Sequence, residues 1–282
     1  MKPHSQPIVV VGPGRVGQAL GKILGKTWFK ISIVAARRLA AARRAKRFIG
    51  TGKPALLNSQ ELNQARVFLI TTSDAALAPV ARQLAALSKD WSGRVVLHTS
   101  GSVPAAVLAP LKRRGAAIGS LHPFQTIPNP SAGVRNLRGC YWAIEGDPAA
   151  QRVARQWVAE LDGVAFPIHP HKKILYHAAA FLVCPTIVTL MDQSMSLLKQ
   201  SGVSERTARP MLGRFVAETV KNFVEFGGRG ALTGPAARGD WPVIRRHLAA
   251  LRRDSPGAVP LYKELGRALL RLAGRRAPKG IL

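Results

Sequence analysis

Cysteine is almost absent from this chain of 282 residues, which contains only Cys140 and Cys184. Two thiols so far apart give neither a disulfide framework nor the ligand spacing of a metal centre. We therefore expect no metal site and a reducing, cytoplasmic compartment. The first six residues also lack the apolar segment of a signal peptide, so we expect no secretion signal.

Acidic residues are scarce as well: 14 Asp and Glu stand against 42 Lys and Arg, for a formal net charge of +28. Such an excess can indicate a nucleic-acid-binding protein. Here the basic residues are spread along the whole chain, and aromatic residues, on which single-stranded nucleic acids stack, make up only 6%. We therefore expect no specific nucleic-acid partner, and the composition assigns no role to the charge itself.

What the chain does contain is an N-terminal βαβ pattern. An apolar run at 8–11 precedes a glycine-rich turn, a segment of helical periodicity at 18–24 and a second apolar run at 31–36. The turn has GxGxxG spacing, whose glycines permit a tight turn, close approach of a pyrophosphate and packing of the helix on the strand. The predicted dinucleotide contacts are Gly12, Pro13, Gly14, Arg15, Val16 and Gly17. The alternative is a βαβ unit that binds no ligand.

The end of the second apolar run indicates which dinucleotide is bound. NAD sites usually carry Asp or Glu here to bind the ribose 2′-hydroxyl, whereas this chain has Arg37 and Arg38 and no acid nearby. Guanidinium groups suit the 2′-phosphate of NADP, because they form bidentate, charge-assisted hydrogen bonds. We therefore predict NADP(H) as the cofactor. The alternative is that two arginines fall here by chance in an Arg-rich chain.

Strands that alternate with helices predict an α/β fold with a parallel, doubly wound Rossmann sheet. Ligands bind beyond the carboxyl ends of such strands. Small and polar residues follow two predicted strands there, and we assign these to the cofactor site: Thr71, Thr72, Ser73, Ser100 and Gly101. His122 follows a third strand and could contact the nicotinamide or a substrate carboxylate. Any one of these residues alone is more often a turn or cap residue.

From Val164 onward the strand pattern gives way to helical periodicity, so we place a domain boundary between residues 165 and 166. Residues 1–165 form the predicted NADP-binding domain, and 166–282 an all-α substrate and dimerisation domain. The apolar run at 174–191 is long enough for a membrane helix, but it contains His177 and Pro185. We predict instead that it is a buried central helix, and that the apolar positions of a second long helix, at 204–226, are core as well.

Three longer motifs resemble those of a known family. They are LHPFQT at 121–126, YHAAA at 176–180 and LTGPAARGD at 232–240. They look like the signatures of the Rossmann-like plus DUF2520 family, within the superfamily of 6-phosphogluconate dehydrogenases and ketopantoate reductases. This resemblance covers nearly the whole chain. It implies a Rossmann domain followed by a 6-phosphogluconate dehydrogenase C-terminal-like helical domain, an NADP oxidoreductase activity, and a homodimer formed through the long helices.

The resemblance also implies catalytic residues. In the superfamily, the helix that opens the second domain presents a lysine, with an asparagine four residues on; Lys173 and His177 occupy these positions here. Residues four apart share a helix face, so Lys173 could protonate the reacting group while His177 orients the substrate or relays the proton. His122 is the third candidate. The alternatives are a surface lysine, a core histidine bonded to the backbone and a turn-stabilising histidine.

Thr233, Arg238 and Asp240 lie in a loop that resembles the substrate loop of ketopantoate reductases. The Arg238 guanidinium would suit a carboxylate, whereas Asp240 is alternatively the N-cap of the next helix. The leading hypothesis is an NADPH-dependent reductase of a small keto acid, with ketopantoate as the candidate that the family implies. The alternatives are a non-catalytic NADP-binding sensor or scaffold and a deazaflavin (F420)-dependent NADP reductase.

We predict that NADPH binds at least tenfold more tightly than NADH, because one lost charged hydrogen bond costs about 1.5–3 kcal/mol. Fluorescence titration with both cofactors measures the two affinities. Equal affinities would contradict the assignment of Arg37 and Arg38.

Overall fold

Strand β1 (Pro7–Val11) lies inside a sheet and is buried on both faces from Ile8 onward. Ile8 and Val10 contact one hydrophobic cluster, and Val9 and Val11 contact the other, because successive strand side chains point to opposite faces. Such a strand needs a helical layer on each side. The computed structural model describes residues 7–282. The expectation of no secretion signal rests on residues 1–6, which lie outside this range.

The sheet has the strand order β3-β2-β1-β4-β5-β6-β7-β8. The further strands are β2 (Lys30–Ala36), β3 (Lys53–Leu56), β4 (Val67–Ile70), β5 (Val95–His98), β6 (Ala117–Pro123), β7 (Tyr141–Gly146) and β8 (Val164–Pro167). The α-helices are α1 (Arg15–Leu24), α2 (Leu39–Ile49), α3 (Asp74–Ala86), α4 (Ala109–Lys112), α5 (Pro130–Asn136), α6 (Pro148–Glu160), α7 (Lys173–Gln200), α8 (Glu205–Gly230), α9 (Pro235–Arg238), α10 (Trp241–Asp254) and α11 (Val259–Ala273).

The predicted α/β class is confirmed, but the prediction of a wholly parallel sheet is wrong at β7. This strand pairs antiparallel with β6, placing Glu145 opposite Ser120, while all other neighbouring pairs are parallel. Gly119 and Gly146 face each other in this pair, and a Cβ on Gly146 would overlap the backbone of Gly119. The sequence of an apolar strand does not reveal its direction, because the pattern of buried side chains is the same for parallel and antiparallel strands. Strands β3 and β8 were not predicted from the sequence.

Two helical layers cover the sheet. Buried side chains from α1, α2 and α6, including Leu20, Ile49 and Trp157, pack on one face. The other face is covered by α3, with Leu77 and Leu84 in its cluster. The two separate clusters are the physical basis of the predicted doubly wound arrangement.

The chain divides into two compact units, Met1–Cys184 and Pro185–Leu282, here called the first and the second unit. The division falls inside α7, later in the chain than the predicted boundary at 165/166. Lys173 and Tyr176, in the first turn of α7, bond to side chains of β6 and β7 in the first unit. In the second unit, a small cluster joins α9, α10 and the end of the chain, with Ile244, Leu248 and Ile281 buried.

The prediction that the two long helices are buried is wrong for this single chain. By length and composition alone, the helix Pro170–Gln200 could cross a membrane, but none of its most apolar window is buried, and one such helix is weak evidence for a membrane protein. On α8, Phe215 is 71% exposed and Val224 is 79% exposed. Apolar periodicity identifies the helix face that is buried against other protein, but it does not show whether that protein is the same chain or another.

Candidate functional site

The glycine-rich turn between β1 and α1 adopts the tight form that its sequence predicts. Gly12 has a φ of +63°, a value that favours glycine, and its amide donates to Ala35 O at 2.8 Å. A Cβ at Gly17 would overlap the Thr71 side chain at the end of β4. These two glycines therefore bring the start of α1 directly against the strand ends.

Helix α1 begins with free backbone donors. Its N-cap is Gly14, no side chain caps it, and its first turn contains no acidic residue. Unpaired amides and the positive end of the helix dipole favour an anion at this position. The turn and the helix start fit the pyrophosphate of a dinucleotide.

Arg37 and Arg38 follow β2 immediately, and both are exposed. Strand β2 lies beside β1, so the two arginines come from the strand end next to the glycine-rich turn. Glu61, the carboxylate nearest in sequence, pairs with Lys53 at 2.6 Å. The position fits a 2′-phosphate, as the sequence predicts.

Hydroxyl and carboxylate groups lie at the adjacent ends of β4 and β5. The Thr71 hydroxyl donates to Gly12 O at 3.0 Å, which links β4 to the glycine-rich turn. The Ser102 hydroxyl donates to Asp74 Oδ2 at 2.5 Å, and the Ser100 hydroxyl accepts from the Val103 amide at 3.0 Å. The sequence prediction included Ser100 and placed Asp74 at the same strand ends, as a plausible helix cap, but it missed Ser102.

An aromatic group lies where β6 meets α7. His122 Nδ1 is 2.8 Å from the Tyr176 hydroxyl, and the rings of His122 and His177 are 6.0 Å apart. A Cβ on Gly101 would lie 2.7 Å from atoms of both histidine rings. The structure thus brings together three of the candidate residues, His122, His177 and Gly101. It adds Tyr176, whose place next to His177 in the YHAAA motif was the available signal.

Lys173 is buried rather than open to a ligand, with 1% of its surface exposed. Its ammonium donates to Val103 O at 2.6 Å, to Ser120 Oγ at 2.7 Å and to Glu145 Oε1 at 3.2 Å. The alternative of a surface lysine is therefore wrong. The predicted role as a proton donor stays a prediction, and the three acceptors leave the ammonium no free hydrogen.

Burial keeps His98 and His122 neutral. Desolvation, followed by His177 and Lys173, lowers the pKa of His122 from 6.5 to about 4. Desolvation and Lys173 likewise lower the pKa of His98, which lies under the site at the end of β5, to about 3. Desolvation raises the pKa of Tyr176, so its phenol stays protonated at neutral pH.

The Asp74 carboxyl, at the strand ends, is ionised at neutral pH. Burial works against ionisation of its carboxyl, but hydrogen bonds from Ser102 and Ser100 and the nearby His177 hold its pKa below the ordinary value. Among residues 7–282, no group of three or more metal-ligating side chains is arranged to hold a metal ion.

The predicted substrate residues Thr233, Arg238 and Asp240 belong to the second unit. Asp240 Oδ1 accepts from the Val243 amide at 3.4 Å, so Asp240 caps α10, the alternative left open by the sequence. Arg238 ends α9 and is exposed.

Comparison with known proteins adds the family. A Rossmann-like domain model matches residues 1–123, and the model of DUF2520, a domain of unknown function, matches residues 140–269. No curated protein sequence matches the chain.

Three solved structures show the same fold at low sequence identity. A Bacteroides fragilis protein named as an NADP oxidoreductase has 23% identity and a TM-score of 0.76, covering 95% of this chain and 99% of its own. A Pseudomonas imine reductase has 16% identity and a TM-score of 0.66, with 96% and 95% covered. A Coxiella burnetii pyrroline-5-carboxylate reductase has 14% identity and a TM-score of 0.59, with 94% and 98% covered.

We predict that the free energy of unfolding falls as the pH drops from 6.5 to about 4. In this window the unfolded chain binds protons at His98 and His122 that the folded chain excludes, so each histidine contributes a slope of up to about 1.4 kcal/mol per pH unit. Urea unfolding at several pH values should show a shallower decline for His122→Gln. The variant His169→Gln, at an exposed histidine, is the control. Identical slopes for His122→Gln and the wild type would show that His122 is not held neutral.

Proposed function

Since the chain belongs to the family that joins a Rossmann-like domain to a DUF2520 domain, we propose that it is an NADPH-dependent reductase of a polar double bond. The observation that carries this proposal is the adjacency of two features. An uncapped helix start behind a GxGxxG turn is linked through Thr71 to the strand edge that holds the aromatic group of His122, Tyr176 and His177.

The cofactor is NADP(H). The start of α1 binds the pyrophosphate, Arg37 and Arg38 bind the 2′-phosphate, and the residues after β4 and β5 face the rest of the dinucleotide. Bound NADPH supplies a hydride to the carbon of the substrate double bond. The names of the B. fragilis, Pseudomonas and C. burnetii proteins support this class of chemistry.

The proton that matches the hydride comes from His177. This imidazole is exposed, so water can restore its proton after each turnover. His122 and Tyr176 are neutral hydrogen-bonding groups that hold the substrate heteroatom, because their mutual bond at 2.8 Å fixes both. This proposal gives the proton to His177 rather than to Lys173, because the three ammonium hydrogens of Lys173 are already bonded.

Two substrate classes are candidates. A small keto acid, with ketopantoate as the named candidate, is favoured by the resemblance of the loop with Thr233 and Arg238 to the substrate loop of ketopantoate reductases. An imine is favoured by Asp74, whose charge would stabilise a protonated C=N group, and by the imine and pyrroline-5-carboxylate reductases among the similar structures. A sensor that binds NADP without turnover and a deazaflavin-linked reductase are the remaining alternatives.

The protein works in the cytoplasm as a homodimer. Large apolar side chains on α8, among them Met211, Phe215, Phe223 and Val224, are exposed in the single chain. Several large apolar side chains exposed on one helix are typical of a protein interface. A second copy presenting the same helix would cover it symmetrically.

We predict that His177→Asn lowers kcat by about 100-fold or more on the true substrate, a usual contribution of a general acid. The assay follows loss of reduced-nicotinamide absorbance with ketopantoate, other 2-keto acids, pyrroline-5-carboxylate and uncharged cyclic imines. The variant His171→Asn, at an exposed histidine nearby, should keep wild-type rates. NADPH binding without turnover of any compound would overturn the reductase proposal and favour the sensor.

We predict a solution mass of twice 30.3 kDa by light scattering at micromolar concentration. Phe215→Glu should convert the dimer to a monomer, because it buries a charge in the apolar interface. Arg214→Glu, at the exposed neighbouring position, is the matched control. A monomeric wild type would refute the dimer.

A further inference from the structure

The buried ammonium of Lys173 connects helix α7 to three other parts of the first unit. Val103 O and Ser120 Oγ accept from it at 2.6 and 2.7 Å, and Glu145 Oε1 lies 3.2 Å away. Lysine has three N–H donors, and each has an acceptor here. All three N–H groups of the Lys173 ammonium therefore bond α7 to other parts of the first unit.

The Glu145 carboxylate is also occupied by hydrogen bonds within the protein. The same oxygen, Oε1, also accepts from the Ala105 amide at 2.7 Å and from the Ser120 hydroxyl at 2.8 Å. Both charged side chains are buried, with 5% of Glu145 exposed. Removing one partner of such a pair leaves an uncompensated buried charge, so the sheet and α7 are held in one arrangement at this point.

The geometry of α7 and β6 connects the Lys173 hydrogen bonds to the positions of Tyr176, His177 and His122. On α7, residues 173, 176 and 177 share one face, because three and four residues make about one helical turn. On β6, Ser120 and His122 share one face, because strand side chains alternate. A bond between Lys173 and Ser120 therefore sets Tyr176 and His177 against His122, where the Tyr176 hydroxyl lies 2.8 Å from Nδ1.

We propose that Lys173 and Glu145 are positioning residues, which fix Tyr176 and His177 opposite His122 and supply no proton to the substrate. This inference rests on the proposed reductase function only for its kinetic consequence. The geometric consequence, the His122–Tyr176 hydrogen bond, is measurable in the protein without substrate.

The test is the double variant Lys173→Met, Glu145→Gln, which removes both buried charges together. We expect it to remain folded and to bind NADPH within about threefold of the wild type. The imidazole nitrogen resonances of His122 should shift in NMR spectra, because the Tyr176 hydroxyl is no longer held on Nδ1. Lys172→Met, at the exposed neighbouring lysine, should leave these resonances unchanged.

Kinetics separate positioning from proton transfer. We expect kcat of the double variant to fall about 10- to 100-fold through misplacement of Tyr176 and His177, with the pH at which kcat titrates unchanged. Small amines should give no rescue. A displaced pH profile together with rescue by methylamine would overturn the proposal and make Lys173 the acid. Wild-type kcat and unshifted His122 resonances would overturn it as well.

A second variant tests the proposal if the double variant does not fold. Ser120→Ala removes the hydroxyl that joins Lys173 to Glu145 but keeps the two charges paired. It should shift the His122 resonances in the same direction by a smaller amount, and an unshifted spectrum would contradict the proposal. If the wild type reduces no substrate, the proposed function fails, while the NMR comparison still decides the positioning role.

Discussion

The burial of β1 on both faces is the constraint on which the first unit depends. With Val9 and Val11 covered by one helical layer and Ile8 and Val10 by the other, both faces at the centre of the sheet are closed to solvent and ligands. Polar chemistry is then confined to the strand ends. The ends of β1, β4, β5 and β6 lie side by side, so residues distant in sequence, such as Gly12, Asp74, Gly101 and His122, come to one edge.

Much of this edge could be predicted from the sequence because its signals are local. The GxGxxG turn, the two arginines after β2 and the small residues after β4 and β5 each follow an apolar run, and the order of runs predicts which ends meet. The partner of Lys173 could not be predicted. Helical spacing gives the face on which a lysine lies, but Glu145 lies 28 positions earlier in the chain, at the end of a strand whose direction the sequence does not reveal.

The exposed helices illustrate a second limit. The apolar positions of α8 match those of a core helix, yet Phe215 and Val224 are exposed in the single chain. Burial of apolar surface is favourable whether the partner is the same chain or another, so the pattern is identical in both cases. Charge is similarly ambiguous in sequence. The chain is strongly basic, yet Lys173 is paired with Glu145, and burial keeps His98 and His122 neutral.

The glycine pair of β6 and β7 makes these two strands less tolerant of sequence changes than other parts of the protein. Gly119 faces Gly146, whose φ is +123°, and a side chain on Gly146 has no room. The pairing of the two strands is therefore locked in a single alignment, and a slip by one residue would turn Glu145 to the other face of the sheet. Insertions within these strands should therefore be selected against over evolution. Engineering of new specificity is best done with this strand pair kept intact.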